Sequence, residues 1–289
     1  MKKHKICKIL LVILAIFLCV DFYELLGICV AYKKQPEVSN TTKKETKNGS
    51  WNECSENTER AVIIEKNPEA LLQRVRLIKN AKKEIILSTF AFQSDESGKL
   101  ILGALHDAAD RGVHIRLLVD GMESWIDMEG NPYFYGLSSH ENVEIKLYNK
   151  ANPLKPWKMM GRMHDKYLIA DGKRYILGGR NTYNYFLGDF PGHKNYDRDV
   201  LVVCDEPEKE NSVNQLLEYF ETIWEQEDSG YFHDNKKLAN RKSVKNAVLE
   251  LQNGYQKYFE ENKERICDTD YTDETFETEK IALVSNPIH

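Results

Sequence analysis

The sequence lacks a strong excess of charge of either sign. Its 289 residues include 40 Lys and Arg and 45 Asp and Glu, which gives a formal net charge of -5. A protein devoted to wrapping nucleic acid would more often be strongly basic, so nucleic acid is a less favoured partner. The hydrophobic share of 42% and the charged share of 29% are ordinary for a globular protein. Composition therefore excludes neither an enzyme nor a binding module, and the length allows one good-sized domain plus extensions.

The six cysteines also lack the spacing of a metal site. Three of them lie in or beside an apolar N-terminal segment: Cys7, Cys19 and Cys29. Cys204 ends a predicted apolar strand, where a core position is expected. If the domain is exported, Cys54 and Cys267 could form a disulfide that joins the two ends of the folded region.

The longest apolar run stands at the N-terminus. Four lysines among the first eight residues precede an uninterrupted apolar run at 9–20, and apolar residues resume at 25–32. The 9–32 stretch reaches the roughly 20 residues needed to span a bilayer. Because no small-x-small cleavage site follows, an uncleaved anchor is favoured over a secretory signal peptide, with a buried core helix as a third alternative. The lysine-rich flank predicts an extracytoplasmic domain, although Lys33 and Lys34 blur this orientation.

Composition shifts divide the chain into five parts. Residues 1–34 are the predicted membrane anchor or signal segment. Residues 35–57, rich in polar side chains and nearly without apolar ones, form a predicted flexible linker. Residues 58–228 carry the pattern of one α/β domain, and residues 229–279 are a charged helical extension. Residues 280–289 begin a new strand pattern.

Strand and helix patterns alternate after the linker. The predicted strands are 61–65, 84–92, 113–120, 143–148, 166–170, 175–177 and 200–204, and the predicted helices are 68–79, 98–110 and 212–225. This alternation predicts a mixed, largely parallel sheet flanked by helices. The helical stretch at 236–265 has one narrow apolar stripe, which predicts packing on the domain, with a partner-binding helix as the alternative.

The most informative segment is residues 164–181, HDKYLIADGKRYILGGRN. His164 and Lys166 stand two positions apart, so on a strand they project from the same face and can converge on one ligand. Asp171 follows at a predicted turn, and two glycines precede Asn181. This set suits a phosphodiester, because the lysine and the amide can hold non-bridging oxygens while a neutral histidine attacks phosphorus. No metal and no cofactor are expected, since the lysine and the amide already supply charge stabilisation.

The spacing H-x-K-x(4)-D, followed by six residues and G-[GS]-x-N, resembles the motif of the phospholipase D superfamily at every defining position. Gly179 stands where serine is common. Upstream, residues 109–121 (ADRGVHIRLLVDG) are similar to the RGV-x-(V/I)-R-x-L-x-D stretch of cardiolipin-synthase-like members. The resemblance spans roughly residues 61–226 and implies a phospholipase-D-like catalytic half-domain at 58–228. In the family's pattern Asp171 is more structural than chemical.

The resemblance also implies roles for individual residues. His164 would be the nucleophile that forms a phosphohistidine, while Lys166 and Asn181 would bind the phosphate. The family places an acidic residue that hydrogen-bonds the catalytic histidine just before a following strand. Asp199 is the first choice for this role, Asp197 is the second, and a strand-capping role for either remains open.

This chain supplies one such motif, whereas the family's chemistry needs two histidines at one phosphorus. Members either carry two motif-bearing halves in one polypeptide or pair two single-motif chains across a two-fold axis. Residues 280–287 (KIALVSNP) resemble the opening strand of a second half, so we expect a truncated two-half protein, with a homodimer as the second choice. His193 and His233 are the reserve candidates for the missing acid.

Three functions remain in competition. The favoured one is a membrane-anchored phosphodiesterase that acts on phospholipids by hydrolysis or by phosphatidyl transfer, as in cardiolipin synthase. The second is a dimeric single-motif nuclease, which would be expected to be shorter and more basic and to bind DNA with a steep salt dependence. The third is an inactive half that binds phosphate or lipid head groups.

Overall fold

The computed structural model describes residues 2–33, 59–150, 152, 161–207, 211–233, 235–279 and 281–285. The predicted linker at 35–57, which includes Cys54, lies outside the described residues. Helix α1 (Lys2–Lys33) contains the stretch Lys5–Val30, whose mean hydropathy of 2.6 and 26-residue length suffice to cross a membrane.

The remaining elements alternate along the chain. Within the described residues, nine strands form one sheet: β1 (Glu59–Ile64), β2 (Glu84–Thr89), β3 (His114–Asp120), β4 (Val143–Tyr148), β5 (Tyr167–Ala170), β6 (Arg174–Gly178), β7 (Asp199–Val203), β8 (Ser229–Tyr231) and β9 (Phe276–Thr278). The helices are α2 (Asn67–Asn80), α3 (Glu96–Asp110), α4 (Gly121–Asp127), α5 (Pro132–Ser138), α6 (Ser212–Trp224), α7 (Lys242–Glu261) and α8 (Lys263–Cys267), with a 3-10 helix at Lys236–Asn240.

The predicted mixed sheet flanked by helices is confirmed, but its description as largely parallel is wrong. The strand order is β8-β4-β3-β2-β5-β6-β7-β1-β9. Strands β2, β3 and β4 pair in parallel, and the other neighbouring pairs in the described part of the chain are antiparallel. Helices connect the three parallel strands, whereas β5 and β6 are joined by a short turn that permits only an antiparallel return.

Alternating side chains of the sheet enter two apolar layers. Ile85 and Leu87 of β2 belong to the larger cluster, together with side chains of α2, α3 and α7. Ile86, between them, belongs to the second cluster, which includes Leu216 and Phe220 of α6. The two-residue period of a strand produces this division. Helix α6 therefore covers the face of the sheet that α2 and α3 leave open.

The C-terminal helices pack on this domain. Val244, Leu251 and Tyr255 of α7 are buried in the larger cluster. The close approach of α7 to α3 needs a glycine, because a side-chain carbon added to Gly103 would lie 2.7 Å from the Leu251 carbonyl oxygen. The extension at 229–279 thus contributes to the same core as the strands.

Candidate active site

The motif residues stand at both ends of the short central strand β5. His164 and Lys166 precede the strand, and Asp171 follows it. Because β5 pairs with both β2 and β6, its residues are buried and its ends are fixed by two neighbours. A cavity of about 300 Å³ opens at the end where the strand begins, and both His164 and Lys166 line it.

The imidazole of His164 is held at the cavity by an aromatic neighbour. The Phe90 ring, at the end of β2, meets the His164 ring edge-on with 4.7 Å between the centroids. Desolvation lowers the pKa of His164 from its usual 6.5, and the positive charge of Lys166 lowers it further. At neutral pH the histidine is therefore largely neutral, the state in which a ring nitrogen can act as a nucleophile.

Lys166 is a buried cation at the same cavity, with only 5% of its surface exposed. Its ammonium donates a hydrogen bond to the His164 carbonyl oxygen and lies 5.2 Å from the centre of the Phe90 ring. Burial lowers the pKa of Lys166 to about 8, against the opposing charges of Asp165 and Asp197. A phosphate at this cavity would replace the hydration that the ammonium has lost.

Asn181 contacts the backbone just after the end of β2. Its Oδ1 accepts a hydrogen bond of 3.2 Å from the Ala91 N–H, directly after Phe90. The side chain is buried, and the walls of the cavity, as far as the described residues define them, do not include it. Asn181 therefore contacts the residue that follows Phe90, and the Phe90 ring contacts His164 and Lys166.

Asp171 occupies the opposite end of β5 and does not reach the cavity. It sits in the turn to β6 with a φ of 55°. Its carboxylate accepts backbone N–H bonds from Lys82, Lys83 and Glu84 at 2.7 to 3.1 Å. Asp171 thus ties the start of β2 to the β5–β6 turn, a structural contact.

Asp199, at the start of β7, forms a buried ion-pair cluster. Its Oδ2 lies 2.9 Å from a guanidinium nitrogen of Arg74 and 3.2 Å from one of Arg180. Its Oδ1 is buried without a hydrogen-bond partner among the described residues. This oxygen faces Gly178, where an added side-chain carbon would lie only 2.0 Å away. Gly178 lines the cavity, whereas Asp199 itself is not among the described residues that line it.

Asp197 explains the glycine that stands where serine is common. A side-chain carbon added to Gly179 would lie 2.1 Å from Asp197 Oδ2. The carboxylate of Asp197 fills the space that a serine side chain would take. The charge of Asp197 also acts on Lys166, where it raises the pKa against the effect of burial.

Two residues of the cavity were missed in the sequence. Asp165 stands between His164 and Lys166, and its Oδ2 accepts a 2.8 Å hydrogen bond from the Tyr219 hydroxyl of α6. Burial raises the pKa of Asp165, while the bond from Tyr219 lowers it. Both residues line the cavity. The strand pattern gave no signal for this pair, because their contact depends on how α6 packs on the sheet.

The reserve histidines lie in other surroundings. His193 is exposed and packs its ring 5.1 Å from that of Tyr185. His233 Nε2 lies 3.2 Å from a Glu129 carboxylate oxygen. Across the described part of the chain, no group of three or more His, Cys, Asp or Glu side chains is arranged to hold a metal ion.

Comparison with known proteins identifies the class to which this fold and site belong. The family profile described as cardiolipin synthase, PLD-like domain, matches residues 74–224, just over half of the chain. The chain therefore belongs to the cardiolipin-synthase-like branch of the phospholipase D superfamily. Members of this superfamily are phosphodiesterases and transferases.

Two individual relatives match more than half of the chain. An uncharacterized protein of Helicobacter pylori strain J99 is 30% identical over 212 residues, which is 68% of this chain and 39% of that protein. Cardiolipin synthase C of Escherichia coli K12 is 29% identical over 171 residues, covering 54% of this chain and 34% of the synthase. The chain spans about two-fifths or less of the length of these relatives.

A solved structure shares the fold. Phosphatidylserine synthase of Haemophilus influenzae Rd KW20 superposes with a TM-score of 0.50 at 17% identity, over 76% of this chain and 48% of the synthase. At this identity the likeness shows the fold alone.

Proposed function

We propose that this chain is one active-site half of a phospholipase-D-type phosphodiesterase that acts on phospholipids by hydrolysis or phosphatidyl transfer. One observation carries the proposal: a largely neutral imidazole and a buried ammonium line the same cavity. A phosphodiester matches this pair, because its phosphorus can be attacked by a nucleophile and its non-bridging oxygens can accept hydrogen bonds from an ammonium.

In the proposed reaction a ring nitrogen of His164 attacks phosphorus. A bond forms between this nitrogen and phosphorus, and the bond from phosphorus to the leaving oxygen breaks. Lys166 holds a non-bridging oxygen and offsets the negative charge that develops there. Water or an alcohol then attacks the phosphohistidine, which releases His164 and gives either hydrolysis or phosphatidyl transfer.

The remaining motif residues have supporting roles in this proposal. Asn181 Oδ1 already accepts a bond from the Ala91 N–H, which leaves the amide NH2 group to donate to a phosphate oxygen. Asp199 has one unpaired carboxylate oxygen beside Gly178, and we assign this carboxylate the role of orienting the His164 imidazole. Asp171 keeps its structural role at the turn.

A second histidine must complete the site. It would protonate the leaving oxygen and later activate the water or alcohol. We propose that it comes from a second motif-bearing half joined to this chain, with a homodimer as the alternative source. In the described structure His193 is exposed beside Tyr185 and His233 contacts Glu129, and neither is among the residues that line the cavity.

We assign the substrate to phospholipids rather than nucleic acid, and the location to the membrane. The apolar stretch of α1, residues 9–32, would hold the chain as a single-pass anchor with the catalytic domain on the extracytoplasmic side. The net charge of -5 provides little attraction for a polyanion. The relationship to cardiolipin synthase C supports the same assignment.

The covalent step can be tested directly with bis-(p-nitrophenyl) phosphate, because nitrophenolate leaves without a proton donor. The full chain is mixed with this compound, quenched at neutral pH and analysed by mass spectrometry of its peptides. We expect a nitrophenyl-phosphoryl adduct on the peptide that contains His164, and none in His164→Ala. His193→Ala is the matched control and should keep the adduct. An adduct that persists in His164→Ala, or none in the unaltered chain, would contradict the proposal.

A further inference from the structure

The segment at residues 281–285 lies against the catalytic cavity. The Leu283 N–H donates a 2.9 Å hydrogen bond to the Gln215 side-chain oxygen of α6. Ile281 and Leu283 pack, partly buried, on the second apolar cluster of the domain. Leu283, Val284 and Ser285 line the cavity that also contains His164 and Lys166. This segment therefore forms part of the site.

The lining of the cavity is chemically mixed. It includes the charged or ionisable groups of His164, Asp165 and Lys166, which follow one another along the chain. It also includes the apolar side chains of Leu283 and Val284. Val284 remains 60% exposed although it is apolar. An apolar wall that stays open to water beside a charged site favours a ligand that is charged at one end and apolar at the other.

We infer that residues 281–285 form the acyl-side wall of the substrate site. With the phosphate at His164 and Lys166, the glycerol and the first acyl carbons of a phospholipid lie against Leu283 and Val284. A nucleic acid gains nothing from this wall, because its phosphates are flanked by polar sugars. The inference rests on the proposed function, and it assigns the choice of phospholipid over other phosphodiesters to this segment.

Two probes separate the wall from the phosphate site. Dibutanoyl-phosphatidylglycerol carries short acyl chains, and glycerophosphoglycerol is the same phosphodiester without them. Both are titrated by calorimetry into the full chain held in amphipol, in a His164→Asn background so that neither probe is cleaved. We expect the acylated probe to bind about tenfold more tightly than the deacylated one, since a few buried methylenes give a factor of this size.

Substitutions in residues 281–285 test whether this segment causes the preference for the acylated probe. Leu283→Ser/Val284→Ser should lose the roughly tenfold gain and bind the deacylated probe unchanged. Val284→Ser alone, at an exposed position, tests the wall without changing the packing of Leu283. Phe276→Ser is the matched control, because Phe276 is 72% exposed on the edge strand β9, and it should keep the full preference.

Other results would overturn the inference. If the deacylated probe binds and acyl chains add nothing, the wall is not a substrate contact although the proposed function stands. If the double variant binds both probes more tightly, the segment blocks the site instead of lining it. If neither probe binds to the His164→Asn chain with residues 281–285 unchanged, the proposed phosphate site fails together with the wall.

Discussion

Replacement of Lys166 by methionine should stabilise the fold while it abolishes turnover. The side chain is 5% exposed, and burial lowers its pKa from 10.5 to about 8. A pKa difference of this size between the folded and unfolded chain means that the protonated lysine destabilises the fold by roughly 3 kcal/mol. Methionine keeps the length and the apolar contacts of the stem without the charge. We expect the free energy of unfolding at pH 7 to rise by about 1–3 kcal/mol, because lost contacts of the ammonium offset part of the gain.

The sign of the pH dependence gives a second readout of the same change. The folded-state pKa of Lys166 lies below the unfolded value, so the lysine opposes folding most strongly below pH 8. As the pH rises from about 8 to 10.5, the folded chain releases this proton first and becomes more stable relative to Lys166→Met. The advantage of the methionine variant should therefore shrink over this interval.

Urea unfolding of the full chain in detergent, followed by circular dichroism at pH 7 and at pH 10, measures both effects. Lys82→Met is the matched control, because Lys82 is an exposed lysine and its replacement should leave the free energy of unfolding nearly unchanged. A Lys166→Met variant that is less stable than the unaltered chain at pH 7, or whose advantage is the same at both pH values, would refute the reasoning.

Four further predictions follow from the site. Activity should fall below pH 6.5 as His164, with its lowered pKa, gains a proton, and it should fall above about pH 8 as Lys166 loses one. In a pH–rate profile, Lys166→Arg should shift the alkaline fall in activity to higher pH, because a guanidinium stays protonated. Saturating chelator should leave turnover unchanged, and a loss restored by zinc or magnesium would show that the charge stabilisation assigned to Lys166 is insufficient. A strict monomer, verified by light scattering, should turn over phospholipid about 100 to 10,000 times more slowly than a completed site, since it lacks the group that protonates the leaving oxygen. With bis-(p-nitrophenyl) phosphate, whose leaving group needs no acid, the phosphohistidine should form but break down slowly, because no second histidine activates water. Full turnover by the monomer would promote His193 or His233 to that role. Asp199→Asn should lower the free energy of unfolding by about 3–5 kcal/mol, because two buried guanidinium groups lose their counter-charge, whereas Asp205→Asn, at a 71% exposed carboxylate paired with Arg174, should change it little.

The histidine and lysine of the motif show which features can be predicted from the local sequence pattern. Their two-residue spacing before an apolar strand predicted a shared face, and the structure places both on one cavity. Asp171 was predicted at a turn and binds three backbone N–H groups there. These features depend on neighbouring residues along the chain, so the sequence encodes them directly. The catalytic roles of these residues stay predictions.

The local sequence pattern does not predict whether neighbouring strands pair in parallel or antiparallel. The pattern located seven of the nine described strands within a few residues, missed β8 and β9, and assigned a largely parallel sheet. Strand direction depends on which distant strands become neighbours, and β7 pairs with β6 and β1, which stand on either side of it in the sheet although β1 is more than a hundred residues earlier. A repeat of apolar residues carries no information about that choice.

By itself the sequence determined the N-terminal apolar segment, the order of the candidate site residues along the chain, and the alternation of strands and helices. Only the tertiary structure decided that Asp199 pairs with Arg74 and Arg180, that the Asp197 carboxylate fills the space beside Gly179, and that the segment at 281–285 lines the cavity. The physical reason is the separation along the chain over which each effect acts. Periodicity and spacing act over a few residues, whereas these contacts join groups that are far apart in the chain and meet only when the sheet and α6 have packed.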